Sequence, residues 1–245
     1  MDSFNAKPLR LQQISGTVNF RDIGGYRAAG GSTKWKILYR SDALHRLTDD
    51  GINALSDMGI EKVIDLRDDG ERTKFPNKLP PTAVLAPHPI FPDALSHIDR
   101  KLTIQSLTEL IFFEHSNTLT SAVKLLAETS TPVVVHCTAG KDRTGAVIAA
   151  TLSAVGVDRD DILHDYEVSE KNLAGEWLEN HLKQLHDLEM TVTPEVLGLI
   201  SSSPLAVMDR ALKMIDHEYG SMTDYLIKNG LSSATIEALQ RNFVA

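Results

Sequence analysis

The chain has 245 residues, 42% of them hydrophobic and 24% charged, with one cysteine and a formal net charge of −8. That balance is ordinary for a globular protein; no apolar stretch nears the ~18 residues of a membrane span, no internal disulfide can form, and no Cys/His spacing suits a zinc site. The negative charge argues against nucleic acid as a general partner, and the amino-terminal MDSFNAKPLRLQQIS lacks the apolar core of a signal peptide, so the expected setting is reducing and cytoplasmic, with no stable membrane anchor.

In chain order, NFRDIGGY (residues 19–26) reads as a short extended piece followed by a glycine turn. KILYRSDAL (36–44) reads as a strand running into a loop. Thr48 is the expected N-cap of a helix with Asp49 and Asp50 in its first turn, ending near Met58 at Gly59. A strand core over 63–66 then leaves into a charged loop. Residues 75–92 hold six prolines and are expected to be mostly loop, with a short strand near 83–85. Residues 94–130 show helical spacing as two helices broken near Ser116, and Pro132 opens the strand VVVHC.

The carboxy-terminal third reads as helical throughout. Ser203-Pro204 is an expected N-cap and first helical position, and glycines 220 and 230 separate two further helices. His181 and His186 fall on a polar helix face and are expected to be solvated. Strands alternating with helices over the first 160 residues imply an α/β fold: a central, mostly parallel sheet flanked by helices, with the helical C-terminal region packed on it.

The one cysteine stands where a β-branched strand, Val133 to Val135, gives way to the small-residue helical stretch that follows Arg143. A strand, a tight loop and a helix N-terminus form an anion site, because loop N–H groups and the helix dipole both present positive potential. Gly140 lets the loop fold back closely. The amides of Thr138, Ala139, Gly140 and Lys141 would hold a phosphate, and Arg143 would take two of its oxygens. The same field favours the thiolate of Cys137 as a nucleophile. Thr144 is placed to hydrogen-bond the sulfur, and His136 to brace the loop. A nucleotide-binding loop is excluded, since Asp142 follows Gly140-Lys141 where Ser or Thr is needed.

HCTAGKDRTG (136–145) resembles the HC-x5-R-T signature of cysteine-dependent tyrosine and dual-specificity phosphatases. Its Lys-Asp-Arg resembles the group typified by secreted bacterial phosphatases that act on phosphotyrosine and phosphoinositides. NFRDIGGY, YRSDALHRLT, VIDLRDDGER and YGSMTDYLIKNGLSS are similar to further blocks of that group, so the resemblance spans most of the chain. It implies a phosphatase-type fold, taken as one domain over residues 1–245, and a phosphocysteine intermediate with neither metal nor cofactor. The implied substrate is a phosphorylated protein or a phosphoinositide. By analogy with the same group, helices around 167–190 would cover the site.

Three aspartates compete for the role of proton donor to the leaving oxygen. Asp142 lies in the loop, where the resembled group uses an aspartate. Asp93, in IFPDAL, is similar to the acid of a mobile Trp-Pro-Asp loop but has Phe91 in place of Trp, and would equally serve as a helix cap. Asp65 ends a strand and would equally be a buried partner for Arg21 or Arg40. Lys141 leaves open a second negative group on the substrate, which favours a phosphoinositide, or a pairing with Asp142 or Asp65. A non-catalytic phosphate-binding module would need no thiol, and a sulfur-transfer or arsenate-reducing enzyme would want a second cysteine.

Overall fold

The strand leading to the cysteine lies at the centre of a five-stranded sheet. The computed structural model describes residues 9–91, 102–187 and 189–245. The sheet runs β1 (Arg21–Asp22), β4 (Leu38–Ser41), β7 (Val133–His136), β5 (Lys62–Asp65), β6 (Val84–Pro87); β2 (Arg27–Ala28) and β3 (Gly31–Ser32) form a separate hairpin. β4, β7, β5 and β6 are parallel, and edge strand β1 is antiparallel to β4. Ser41 and Asp65 flank His136, so three adjacent strands end level just before Cys137. Loops at the carboxyl ends of parallel strands are where such sheets place ligands.

All of β7 is buried because both faces of the sheet are covered. Val133 and Val135 join the larger core, with α4 (Ser116–Ala127) and α5 (Asp142–Ala154). Val134 faces the smaller one, with Phe20, Tyr39, Leu44, Leu55 and Val63. α5 is buried from Arg143 to Leu152, which its run of Ala, Gly and Thr permits by letting neighbouring elements approach on every side. α9 (Leu205–Tyr219), α10 (Met222–Lys228) and α11 (Ser233–Phe243) pack around the same core, through Met208, Leu212, Ile215, Tyr225, Leu226, Leu239 and Phe243.

α1 (Asp49–Asp57) starts as expected, the Thr48 hydroxyl accepting from Gly51 N–H. The proline-rich stretch holds β6 two residues later than its composition implies on its C-terminal side. α3 (Ile104–Glu109) continues through a π-turn over 110–114 and breaks at His115 before α4. Residues 94–101 of the expected helical stretch, and Asp93, lie outside the described residues.

Two expectations fail. The charged stretch after β5 is not a loop but α2 (Asp69–Lys74): Asp68 and Glu71 form a capping box, each side chain accepting from the other's backbone N–H, which starts a helix without any apolar periodicity. Ser203 does not cap α9. Its hydroxyl donates to Glu167 O at 3.0 Å and accepts from Glu170 N–H at 2.9 Å, tying the start of α9 to α6 (Arg159–Leu173), while Pro204 takes the capping position.

Candidate active site

The loop from Cys137 to Lys141 turns its carbonyls away from the cavity it encloses. Cys137 O faces His136 Nδ1 at 3.0 Å. Thr138 O accepts from Ala43 N–H at 3.0 Å, and Ala139 O from Asn19 Nδ2 at 2.9 Å. Gly140 O accepts from Arg40 Nη2 at 2.6 Å, and Lys141 O from Gly145 N–H at 2.7 Å within α5 and from Arg40 Nη2 at 3.2 Å. With the oxygens so engaged, the N–H groups of 138–141 have no acceptor among the described residues. A ring of such donors beside a helix N-terminus is an anion-binding geometry. Gly140 takes φ +65, and a Cβ there would stand 2.2 Å from Ser41 O, so glycine is required on both counts.

Cys137 lies buried at the base of a cavity of about 230 Å³. Thr138, Lys141, Asp142 and Arg143 contribute polar lining; Phe91, Leu107, Trp177 and Leu199 form an apolar and aromatic wall. Trp177 and His181 come from α7 (Glu176–Asp187), within the stretch expected to cover the site, and Leu199 from α8 (Pro194–Ser201), beyond it; both helices border the cavity. His181 is therefore not on a solvated face. It stacks on Trp177 with ring centroids 5.0 Å apart, and burial, with Arg46 nearby, lowers its pKa. His186 is exposed, as expected.

Arg143 forks onto Glu71, its Nη1 and Nη2 donating to Oε2 and Oε1 at 2.6 and 2.9 Å, and Thr138 Oγ1 donates to the same carboxylate. Burial alone would raise the Glu71 pKa, but the hydrogen bonds and charge of Arg143 outweigh it and hold the carboxyl at about 2. Burial works against the Arg143 charge too, and Glu71 more than offsets it. Glu71 escaped the sequence reading because it lies 72 residues from Arg143 and looks like one surface acid among several.

Asp142 opens α5 and lines the cavity with its side chain 14% exposed. Its Oδ1 accepts from Tyr166 OH at 3.1 Å, a phenol kept protonated by burial and by the aspartate itself. Lys141 also lines the cavity, and its head group is held by the protein. Its ammonium is buried, donates to Leu199 O and Ser202 O at 2.8 and 2.5 Å at the end of α8, and lies 3.6 Å from Asp142 Oδ2. The Thr144 hydroxyl is buried and makes no hydrogen bond, to sulfur or otherwise, among the described residues.

Asp65 and Arg21 depart from the expected pairing. Asp65 binds Arg67 through both oxygens, accepts from Asn77, and lies 3.5 Å from His136 Nε2. Burial would raise its pKa, but His136 and Arg67 pull it to about 2; burial in turn depresses the His136 pKa. It borders the loop from behind and does not line the cavity. Arg21 and Arg40 both go instead to Asp165 on α6, which chain order gave no reason to single out.

A buried thiol, loop amides with no acceptor among the described residues, a guanidinium and a carboxyl share one cavity, the set of groups that displacement at an oxyanion would use. The tyrosine phosphatase family model matches residues 12–245, and the chain belongs to that family. It is 30% identical over 277 residues to the triple specificity protein phosphatase PtpB of Mycobacterium tuberculosis, covering 95% of this chain and 98% of that one. It is 26% identical over 221 residues to the putative tyrosine-protein phosphatase H16_A0669 of Cupriavidus necator, covering 85% and 80%. Among solved structures, the Siw14 catalytic core is similar over 73% of this chain and 96% of that one, at 14% identity and a TM-score of 0.35. Among the described residues, no helix is long and apolar enough to cross a membrane, and no cluster of His, Cys, Asp and Glu would hold a metal ion.

Proposed function

We propose that the protein hydrolyses phosphotyrosine in proteins, with Cys137 as nucleophile, Arg143 and the loop amides as the phosphate clamp, and Asp142 as general acid. The Cys137 sulfur attacks phosphorus, the bond from phosphorus to the phenolic oxygen breaks, and Asp142 gives its proton to that oxygen. Water then attacks the phosphocysteine, Asp142 takes a proton from it, the sulfur–phosphorus bond breaks and inorganic phosphate leaves. The amides and Arg143 act on the equatorial oxygens through both steps. The observation that carries this reading is the outward turn of five successive loop carbonyls around a buried thiol.

The apolar and aromatic wall of Phe91, Leu107, Trp177 and Leu199 supports an aryl ester as substrate. The residue-level argument for a phosphoinositide was Lys141, and its ammonium is committed to α8, which leaves the family resemblance as the support for that substrate. The packing of α9 to α11 on the core that holds α5 supports residues 1–245 working as one catalytic unit. The cytoplasm is the proposed compartment, because an essential thiol with no second cysteine is best preserved under reducing conditions.

The test is Cys137→Ser. Serine is far from ionised at neutral pH and cannot replace the nucleophile, while the clamp stays intact. Hydrolysis of an aryl phosphate should vanish, and the variant should still retain a phosphotyrosine peptide on a column. Substantial residual turnover would exclude the mechanism.

A further inference from the structure

Behind the loop, two buried arginines share one buried carboxylate. Arg21 Nε donates to Asp165 Oδ1 at 3.0 Å, and Arg40 Nη1 donates to Asp165 Oδ2. None of the three side chains is more than 2% exposed, and neither arginine lines the cavity. Tyr26 OH adds a neutral donor at 3.4 Å. Among the described residues neither arginine meets a second carboxylate, so two positive charges face one negative. Asp42, raised to about 6 by burial, is bound by the amides of Val18 and Asn19 and pairs with neither.

On the cavity side each cation has a carboxylate partner as long as Asp142 is ionised, the form it takes before picking up the proton it will deliver. Arg143 is neutralised by Glu71, and Lys141 stands beside Asp142. A phosphate entering the loop would thus meet ion pairs at the front and an excess cation behind. The excess is uncomfortable without an anion: burial, with Arg40 beside it, pushes the Arg21 pKa down to about 10.

The cluster is wired to the loop. Arg40 Nη2 holds the carbonyls of Gly140 and Lys141. These belong to the peptide units whose N–H ends are on Lys141 and Asp142, the first of them one of the free amides of the loop. A guanidinium on the oxygen end of a peptide group polarises it and strengthens the donor at the other end. Arg21 Nη1 donates to Asn19 Oδ1, and Asn19 Nδ2 holds Ala139 O.

We propose that Arg21 and Arg40 are positioning residues for the anion: their one unmatched positive charge is completed by the bound phosphate, and their contacts aim the loop amides at it. This rests on reading the Cys137 loop as the phosphate site.

The experiment measures inorganic phosphate as a competitive inhibitor of aryl phosphate hydrolysis by the wild type, Arg21→Gln and Arg21→Lys, with phosphate-induced thermal shifts alongside. Arg21→Gln should weaken phosphate about tenfold, the order of one partly screened unit charge. Arg21→Lys keeps the charge but not the fork, and should stay within about threefold of wild type. Equal losses in both variants, or none in either, would overturn the charge role while leaving the loop reading intact. Wild-type enzyme that phosphate neither inhibits nor stabilises would overturn both. If Arg21→Gln does not fold, Asp165→Asn decides: it doubles the excess charge, so its phosphate-induced shift should exceed that of the wild type, and a smaller or equal shift overturns the proposal.

Discussion

Glu71→Gln isolates the ion pair that holds Arg143. The Glu71 carboxyl falls from the ordinary 4.5 to about 2 in the folded chain. At ~1.4 kcal/mol per pH unit that corresponds to at most ~3.5 kcal/mol of stability. The pair keeps some contact with water, the Glu71 side chain being 25% exposed, so screening reduces the expected figure to ~2 kcal/mol. The pKa is depressed on folding, so this stability is fully present above the unfolded value and is lost as pH falls through the folded one. Urea unfolding of wild type and Glu71→Gln should therefore differ by ~2 kcal/mol at pH 7 and by about half as much near pH 3. Other carboxylates titrate in both proteins and cancel in the difference. With its fork released, Arg143 should also clamp phosphate less well, and kcat/KM should fall roughly tenfold or more. A stability difference that stays constant from pH 7 to pH 3 would refute the linkage argument; no difference at any pH would mean the pair adds nothing.

Three further substitutions probe the loop. Asp142→Asn should slow alkyl phosphates far more than aryl phosphates with good leaving groups, by up to about 10²–10⁴-fold, since only a poor leaving group needs the proton; if Asp93→Asn shows that pattern and Asp142→Asn does not, the acid has been misassigned. Gly140→Ala would force a Cβ to 2.2 Å from Ser41 O at φ +65, and should abolish phosphate binding measured by calorimetry; wild-type affinity would mean the loop shape is not essential. Lys141→Ala removes two charge-assisted hydrogen bonds to the end of α8, each worth about 1.5–3 kcal/mol. It should lower kcat/KM for phosphotyrosine peptides and inositide phosphates alike, and a selective loss on the inositides would restore Lys141 as a substrate contact.

What the sequence determined by itself was local. Strand β7, the turn at Gly140 and the start of α5 are encoded within about a dozen contiguous residues, by β-branching, a glycine and small side chains. Thr48 and its two aspartates likewise declared α1 through a cap that needs no tertiary partner. Even the missed α2 carried its signal, the Asp68–Glu71 box, hidden by the expectation that charged stretches are loops. Tertiary structure alone decided which charges meet. Arg21 and Asp165 are 144 residues apart, Arg143 and Glu71 72, and Lys141 and Leu199 58. A buried arginine and an exposed one are the same letter, and burial depends on the chain brought over it. The proposal of Cys137 as nucleophile came from its neighbours in sequence. The partners that aim its loop came from Asn19, Arg40, Glu71, Asp165 and Tyr166, because an ion pair's energy depends on distance and dielectric, which only the folded chain sets.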